Sequence, residues 1–214
     1  MPILFISLNE KFNQKMKAYG YECKTMKIQD YNPIRKTYYV SPANSLCFMD
    51  GGIDYALSRI VFPGIEPIIK NIVKELDIKS FMGRPYLPIG SSLIVDSGMK
   101  SIVVAPTMLL PQNVSATSNA YYATMAVLYN VLVNHGENIN EVDIIFTSLC
   151  CGYGKMDEDS SVHQIVKGIH EYMNYTPTIL NHNVILKEPN LYEQPKYYQN
   201  TEFMNIDPSE IVNV

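Results

Sequence analysis

Apolar residues cluster or alternate in short stretches at 3–8, 23–28, 37–40, 91–95, 101–105 and 142–149, each rich in β-branched and aromatic side chains. That pattern predicts strands. Between them the apolar positions shift to helical spacing over 10–18, 53–58, 66–76, 115–133 and 160–173, with a Pro63-Gly64 break before the third. Ala120, Ala123, Val127 and Val131 mark the buried stripe of one long helix, and Val162, Ile165, Val166 and Ile169 that of the last; both start beside Ser, Thr or Asp caps. Val95-Asp96-Ser97-Gly98-Met99 reads as a hairpin turn, whereas helices separate the other strands. The expectation is an α/β fold, a three-layer α/β/α sandwich with a mixed central sheet. From about Tyr175 the periodicity ends and Pro177, Pro189, Pro195 and Pro208 appear among scattered Asn and Tyr. One domain over 1–175 is therefore expected, with an extension over 176–214 that wraps it or is partly disordered.

Composition sharpens this picture mainly by exclusion. With 214 residues, 47% hydrophobic and 18% charged, the chain can bury a core and is neither collagenous nor coiled coil. Its apolar runs fall far short of the roughly 18 residues of a membrane helix, and Met1 to Leu8 lacks the basic start of a signal peptide. A net charge of -4 supplies no general attraction to nucleic acid or anionic lipid, and the 16 tyrosines lack an accompanying basic groove. Cys23, Cys47 and the adjacent Cys150 and Cys151 form neither a disulfide framework nor a metal motif. An intracellular, cytoplasmic setting without metal or cofactor is expected. Abundant Ile, Asn, Tyr and Lys fit an AT-rich genome, consistent with a viral or parasitic source.

Two loops stand out chemically. Residues 41–54 lead from a strand through Asn44, Asp50, Gly51 and Gly52 into a helix carrying Ile53 and Asp54. The glycines let backbone approach a ligand closely, and the N–H groups opening the helix suit an anion or sugar oxygens. The plain alternative is a turn at Asn44 and a helix cap at Asp50. Residues 148–156 join another strand to the last helix through Cys150, Cys151, Gly152, Tyr153 and Gly154, and match neither the P-loop nor the dinucleotide fingerprint. Thr107, Met108, Pro111 and Asn113 are placed to line the mouth of a cleft. His163 and His170 read as ordinary positions of one helix face.

Together these segments resemble the macro domains, proteins that bind ADP-ribose and in some members hydrolyse its linkages. Pro42-Ala43-Asn44-Ser45 and Gly51-Gly52-Ile53-Asp54 match the family's asparagine-to-helix motif, and Asp30 stands at the spacing of its upstream G-D-I aspartate. Leu87-Pro88-Ile89-Gly90 and Asp96-Ser97-Gly98 follow in order, and the Gly-Tyr-Gly loop falls where the family has its phosphate loop. The likeness covers about residues 22 to 173 and is strongest to a divergent branch that writes the motif S-P-A-N-S…M-D-G-G-I-D.

The resemblance implies that Asp30, with the Tyr31 amide, reads the adenine amino group. Asn44 would bond the distal ribose, with Gly51, Gly52 and Ile53 against that ribose and the adjacent phosphate. Gly152, Tyr153 and Gly154 would cradle the pyrophosphate. In hydrolytic relatives the residue matching Asp54 orients or activates a water that attacks the anomeric carbon of the distal ribose, with substrate phosphate assisting, so Asp54 and Asn44 would be the catalytic residues. Ser58 stands where the motif carries a histidine, and the glycine-plus-Q-E-E signature of poly(ADP-ribose) glycohydrolases is absent. The partner expected is ADP-ribose or an ADP-ribosylated protein. Whether the chain hydrolyses the linkage, acts on a phosphorylated ADP-ribose, or is a ligand-free scaffold for protein contacts stays open at this level.

Overall fold

The computed structural model describes residues 2–79, 83–174 and 197–199. Strand β1 (Ile3–Ile6) leads into helix α1 (Glu10–Ala18), followed by β2 (Glu22–Lys24), a 3-10 turn (Ile28–Asp30) and β3 (Thr37–Ser41). Helix α2 (Gly52–Ala56) continues as a π-helical turn (Leu57–Val61), then comes α3 (Ile65–Glu75), the hairpin of β4 (Ser91–Ser97) and β5 (Lys100–Val104), and α4 (Asn119–His135). A second 3-10 turn (Gly136–Glu141), β6 (Asp143–Phe146), α5 (Glu158–Asn174) and β7 (Tyr197–Gln199) complete the order. The sheet runs β2-β1-β6-β3-β5-β4-β7. From β2 to β5 all neighbours are parallel, and β4 pairs antiparallel with both β5 and β7. The expected mixed sheet with helices on both faces is thus observed.

Alternation along the strands builds two cores. Ile3, Phe5, Tyr38, Val40, Ile144 and Phe146 face α1, α4 and α5, whereas Leu4, Ile6, Tyr39, Ile102, Val104 and Ile145 face the α2–α3 side. Successive strand residues point to opposite faces, so one run of apolar residues serves both layers. Where α5 crosses α4, Gly168 faces Thr124, and a Cβ there would lie 3.1 Å from its methyl.

Several boundaries differ from the sequence expectation. The second strand ends at Lys24 rather than Ile28, because Ile28 turns into the α2–α3 core as part of the 3-10 turn. Helix α4 starts at Asn119, not Ser115, since residues before it bond elsewhere: Val114 N–H donates to Gly154 O at 2.9 Å and Asn119 Nδ2 to Thr107 O at 2.8 Å. Its N-cap, Ser118, makes no side-chain cap bond, whereas Asp157 accepts from Ser160 N–H at 2.9 Å at the start of α5. Strand β7 lies in the extension and had no strand pattern in the sequence; the rest of the stretch from 175 to 214 lies outside the described residues.

Candidate functional site

The parallel strands end at one edge of the sheet, and their following segments leave in different directions. Chain from β1, β5 and β6 passes to the face of α1, α4 and α5, whereas chain from β2 and β3 passes to the α2–α3 face. Because β6 and β3 are neighbours, their outgoing loops diverge at the carboxyl ends of the strands and frame a candidate crevice. This is where open α/β sheets bind ligands. One wall is 44–54, with the 28–30 turn packed against α2 and the π-helical turn. The other is 148–156, braced by Val114.

Both walls present free backbone donors. Among the described residues, the N–H groups of Gly51, Gly52 and Ile53 on one side, and of Gly152, Tyr153 and Gly154 on the other, donate to no protein acceptor. A Cβ at Gly51, Gly52 or Gly152 would meet nothing within 4 Å, so these backbones border open space. Gly52 also has φ +54, a left-handed conformation that glycine adopts without strain. Gly154 differs: a Cβ there would come within 2.5 Å of Cys150 O and 2.7 Å of Val114 Cγ2. Its role is close packing beneath the loop. The Tyr153 side chain projects outward, 77% exposed.

Asn44 shapes its loop. It is 6% exposed, its Oδ1 accepts from the N–H groups of Leu46 (3.1 Å) and Phe48 (3.3 Å), and its Nδ2 donates to Phe48 O at 2.9 Å. Asp50 does not cap α2; the N-cap is Gly51, which makes no side-chain bond, and Asp50 remains exposed. On the flanking turn Asp30 is exposed, while the Tyr31 N–H bonds Ile28 O at 3.3 Å and the Lys24 ammonium lies 5.0 Å from the Tyr31 ring centroid. In the approach to α4, Thr107 and Met108 are buried and pinned to β3's loop, Thr107 Oγ1 donating to Pro42 O at 3.1 Å and Met108 O accepting from Ser45 N–H at 2.8 Å. Pro111 and Asn113 are exposed.

Asp54 sits in the first turn of α2, half-buried, and its Oδ1 accepts from Ser41 Oγ at 2.6 Å. Burial pushes its carboxyl up to about 7, the Ser41 hydrogen bond opposes that rise, and the nearby Asp50 carboxylate adds to it. Oδ2 has no partner among the described residues. Such a group changes protonation near neutrality, which suits an acid–base role.

Two contributors were not singled out from the sequence. Ser41 is fully buried at the end of β3; in the sequence it stands only as the first residue of the S-P-A-N-S stretch, with no role of its own. Glu66, buried in α3, accepts from Lys70 Nζ at 2.6 Å, Arg59 NH2 at 3.0 Å and the Met49 N–H of the glycine loop. Burial alone would raise its carboxyl, but these donors together hold it below the ordinary value. Lys70 also lies 4.5 Å from the Phe48 ring centroid, fastening the loop's outer side. A Glu and Lys at helical i,i+4 spacing was the available clue.

The cysteines are buried or half-buried free thiols, and burial pushes Cys150 up to about 12 and Cys151 to about 11. Among the described residues no group of His, Cys, Asp and Glu is arranged to hold a metal ion, and no helix is long and apolar enough to cross a membrane. No protein-family model matches the chain, and no curated protein does.

Proposed function

We propose that the crevice between the β3 and β6 loops binds ADP-ribose, free or carried on a protein. The observation that supports this most directly is that the N–H groups of Gly51 to Ile53 and of Gly152 to Gly154, on the loops that leave the neighbouring strands β3 and β6, donate to no protein acceptor among the described residues. A pyrophosphate with a sugar beside it offers oxygens to both walls. The exposed Asp30 on the flanking turn is an acceptor of the kind an adenine amino group requires. The ordered sequence likeness to macro domains supplies the choice of this ligand over other diphosphates. The test is calorimetric titration with ADP-ribose, with AMP and ADP as controls and Asp30→Ala as the variant. Micromolar binding that needs the distal ribose and weakens in the variant is the expected result. No heat and no thermal shift at millimolar ligand would refute it and turn attention to a scaffold role.

The position of Asp54 supports a hydrolytic extension of this reading. Its free Oδ2 would take a proton from water as the water oxygen bonds the anomeric carbon. The bond from that carbon to the departing group breaks with its electron pair, and the proton then passes to that group. Release of ADP-ribose from a modified protein, lost in Asp54→Asn with binding retained, is the expected outcome.

A further inference from the structure

We infer that Ser41 is the positioning residue of Asp54, its hydroxyl fixing one carboxylate oxygen so that the other is presented to the crevice. The inference rests on the reading of Asp54 as the base of the site. The hydroxyl ends β3, whose backbone is held on both sides by parallel neighbours, Val40 beside Val103 and Tyr39 beside Ile145. Ser41 itself is fully buried, and its carbonyl accepts from Ala105 N–H at 3.0 Å. The donor thus stands at the end of a sheet strand, where Ser41 pairs with Val104 of β5, whereas Asp54 belongs to a helix of a single turn that runs directly into a π-helical turn. A short helix gives its side chains little fixed direction, and a bond at 2.6 Å to the sheet supplies what the helix lacks.

The surroundings leave this task to Ser41. The charged and titratable groups on adjoining elements are Asp50 and Cys47 of the loop, Asp30 and Tyr31 beside the 3-10 turn, Arg59 of the π-helical turn, and Glu66 and Lys70 of α3. Glu66 takes both Arg59 and Lys70, which leaves no cation bonded to Asp54 among the described residues. Asp50 acts on Asp54 by repulsion. Ser41 is consequently the one neighbour among the described residues that favours the charged carboxylate by donating to it.

The experiment is a carbon-13 NMR titration of the Asp54 carboxyl without nucleotide, in the native chain and in Ser41→Ala, Ser41→Thr and Ser41→Cys. Ser41→Ala should raise the midpoint by about one unit, a tenfold change in proton affinity. Ser41→Thr should stay near the native value, and Ser41→Cys, a weaker donor of similar size, should fall between. If hydrolysis is present, the acid limb of its pH profile should move with the midpoint, and restoring the hydroxyl as Thr should restore it. A folded Ser41→Ala or Ser41→Cys protein with the native midpoint overturns the inference. Because the titration is read without ligand, failure of ADP-ribose to bind would refute the functional reading separately and leave this result intact.

Discussion

Two glycines in the same loop should respond in opposite ways to one added methyl group. At Gly154 the new Cβ would lie 2.5 Å from Cys150 O, 2.7 Å from Val114 Cγ2 and 3.1 Å from Cys150 Cα. The Val114 side chain can turn aside, but two of these neighbours are backbone. Cys150 O cannot retreat freely, since it accepts from Met156 N–H at 3.0 Å, and Gly154 O holds Val114 N–H at 2.9 Å. Overpacking ordinarily costs about 1–3 kcal/mol, and straining one of these hydrogen bonds adds about 1 kcal/mol. A total near 3 kcal/mol lowers the unfolding midpoint of a chain this size by roughly 6–12 °C. At Gly152 nothing lies within 4 Å and φ is not in the left-handed range, so Ala should leave the midpoint within about 2 °C. Its methyl nevertheless stands at the crevice and should weaken ADP-ribose binding. Scanning calorimetry of both variants, followed by titration with ligand, separates the two effects. The reasoning fails if Gly154→Ala melts within about 2 °C of the native chain, or if Gly152→Ala falls as far.

The remaining predictions concern titration and loop support. Because the folded state raises the Asp54 carboxyl from 3.8 to about 7, it binds a proton more tightly than the unfolded chain. Stability from this group is therefore full below about pH 4, declines as pH rises to about 7, and then levels off. Asp54→Asn lacks that decline, so its stability relative to the native chain should grow between pH 4 and 8, by at most about 4 kcal/mol before solvent screening of the half-buried group. A gap independent of pH, measured by denaturant unfolding, would contradict it. Glu66→Gln should destabilise by about 1–3 kcal/mol and speed hydrogen exchange at the Met49 amide more than at strand amides. Equal exchange at Met49 would show that Glu66 does not hold the loop. Iodoacetamide at pH 8 should label Cys23 well before Cys47 and Cys150, whose thiols burial pushes up to about 12; mass spectrometry reads the order.

What could be read from the sequence follows the range of the forces involved. Strands β1, β3 and β6 and helices α1 and α5 carried strong local periodicity, and the β4–β5 hairpin was announced by its Gly98 turn. Boundaries were lost where distant partners compete with local propensity. Ser115 looks like a helix start, yet Val114 is tied to the other crevice wall by a bond to Gly154. The π-helical turn after α2 follows the same logic: buried Ser58 donates to Met49 O at 3.0 Å, across the loop it helps to fold. Likewise, the two glycine loops could be found by composition, because their work is done by backbone. The roles of Ser41 and Glu66 could not, since a serine in a strand and a glutamate in a helix acquire meaning only from what they face.

The neighbouring strands that frame the crevice come from distant parts of the chain. Thr37 pairs with Asp143, and Ile3 with Ile144, so β6 is inserted between β1 and β3 after nearly all the other described elements have been made. Pairings of such long sequence separation must close large loops before they are rewarded, and they slow folding. Until β6 is in place, β1 and β3 have no common neighbour and the two walls have no fixed distance. Nucleotide binding would then serve as a late clock for folding, appearing only with the last central strand and lagging the helical signal that α1 and α3 can give earlier.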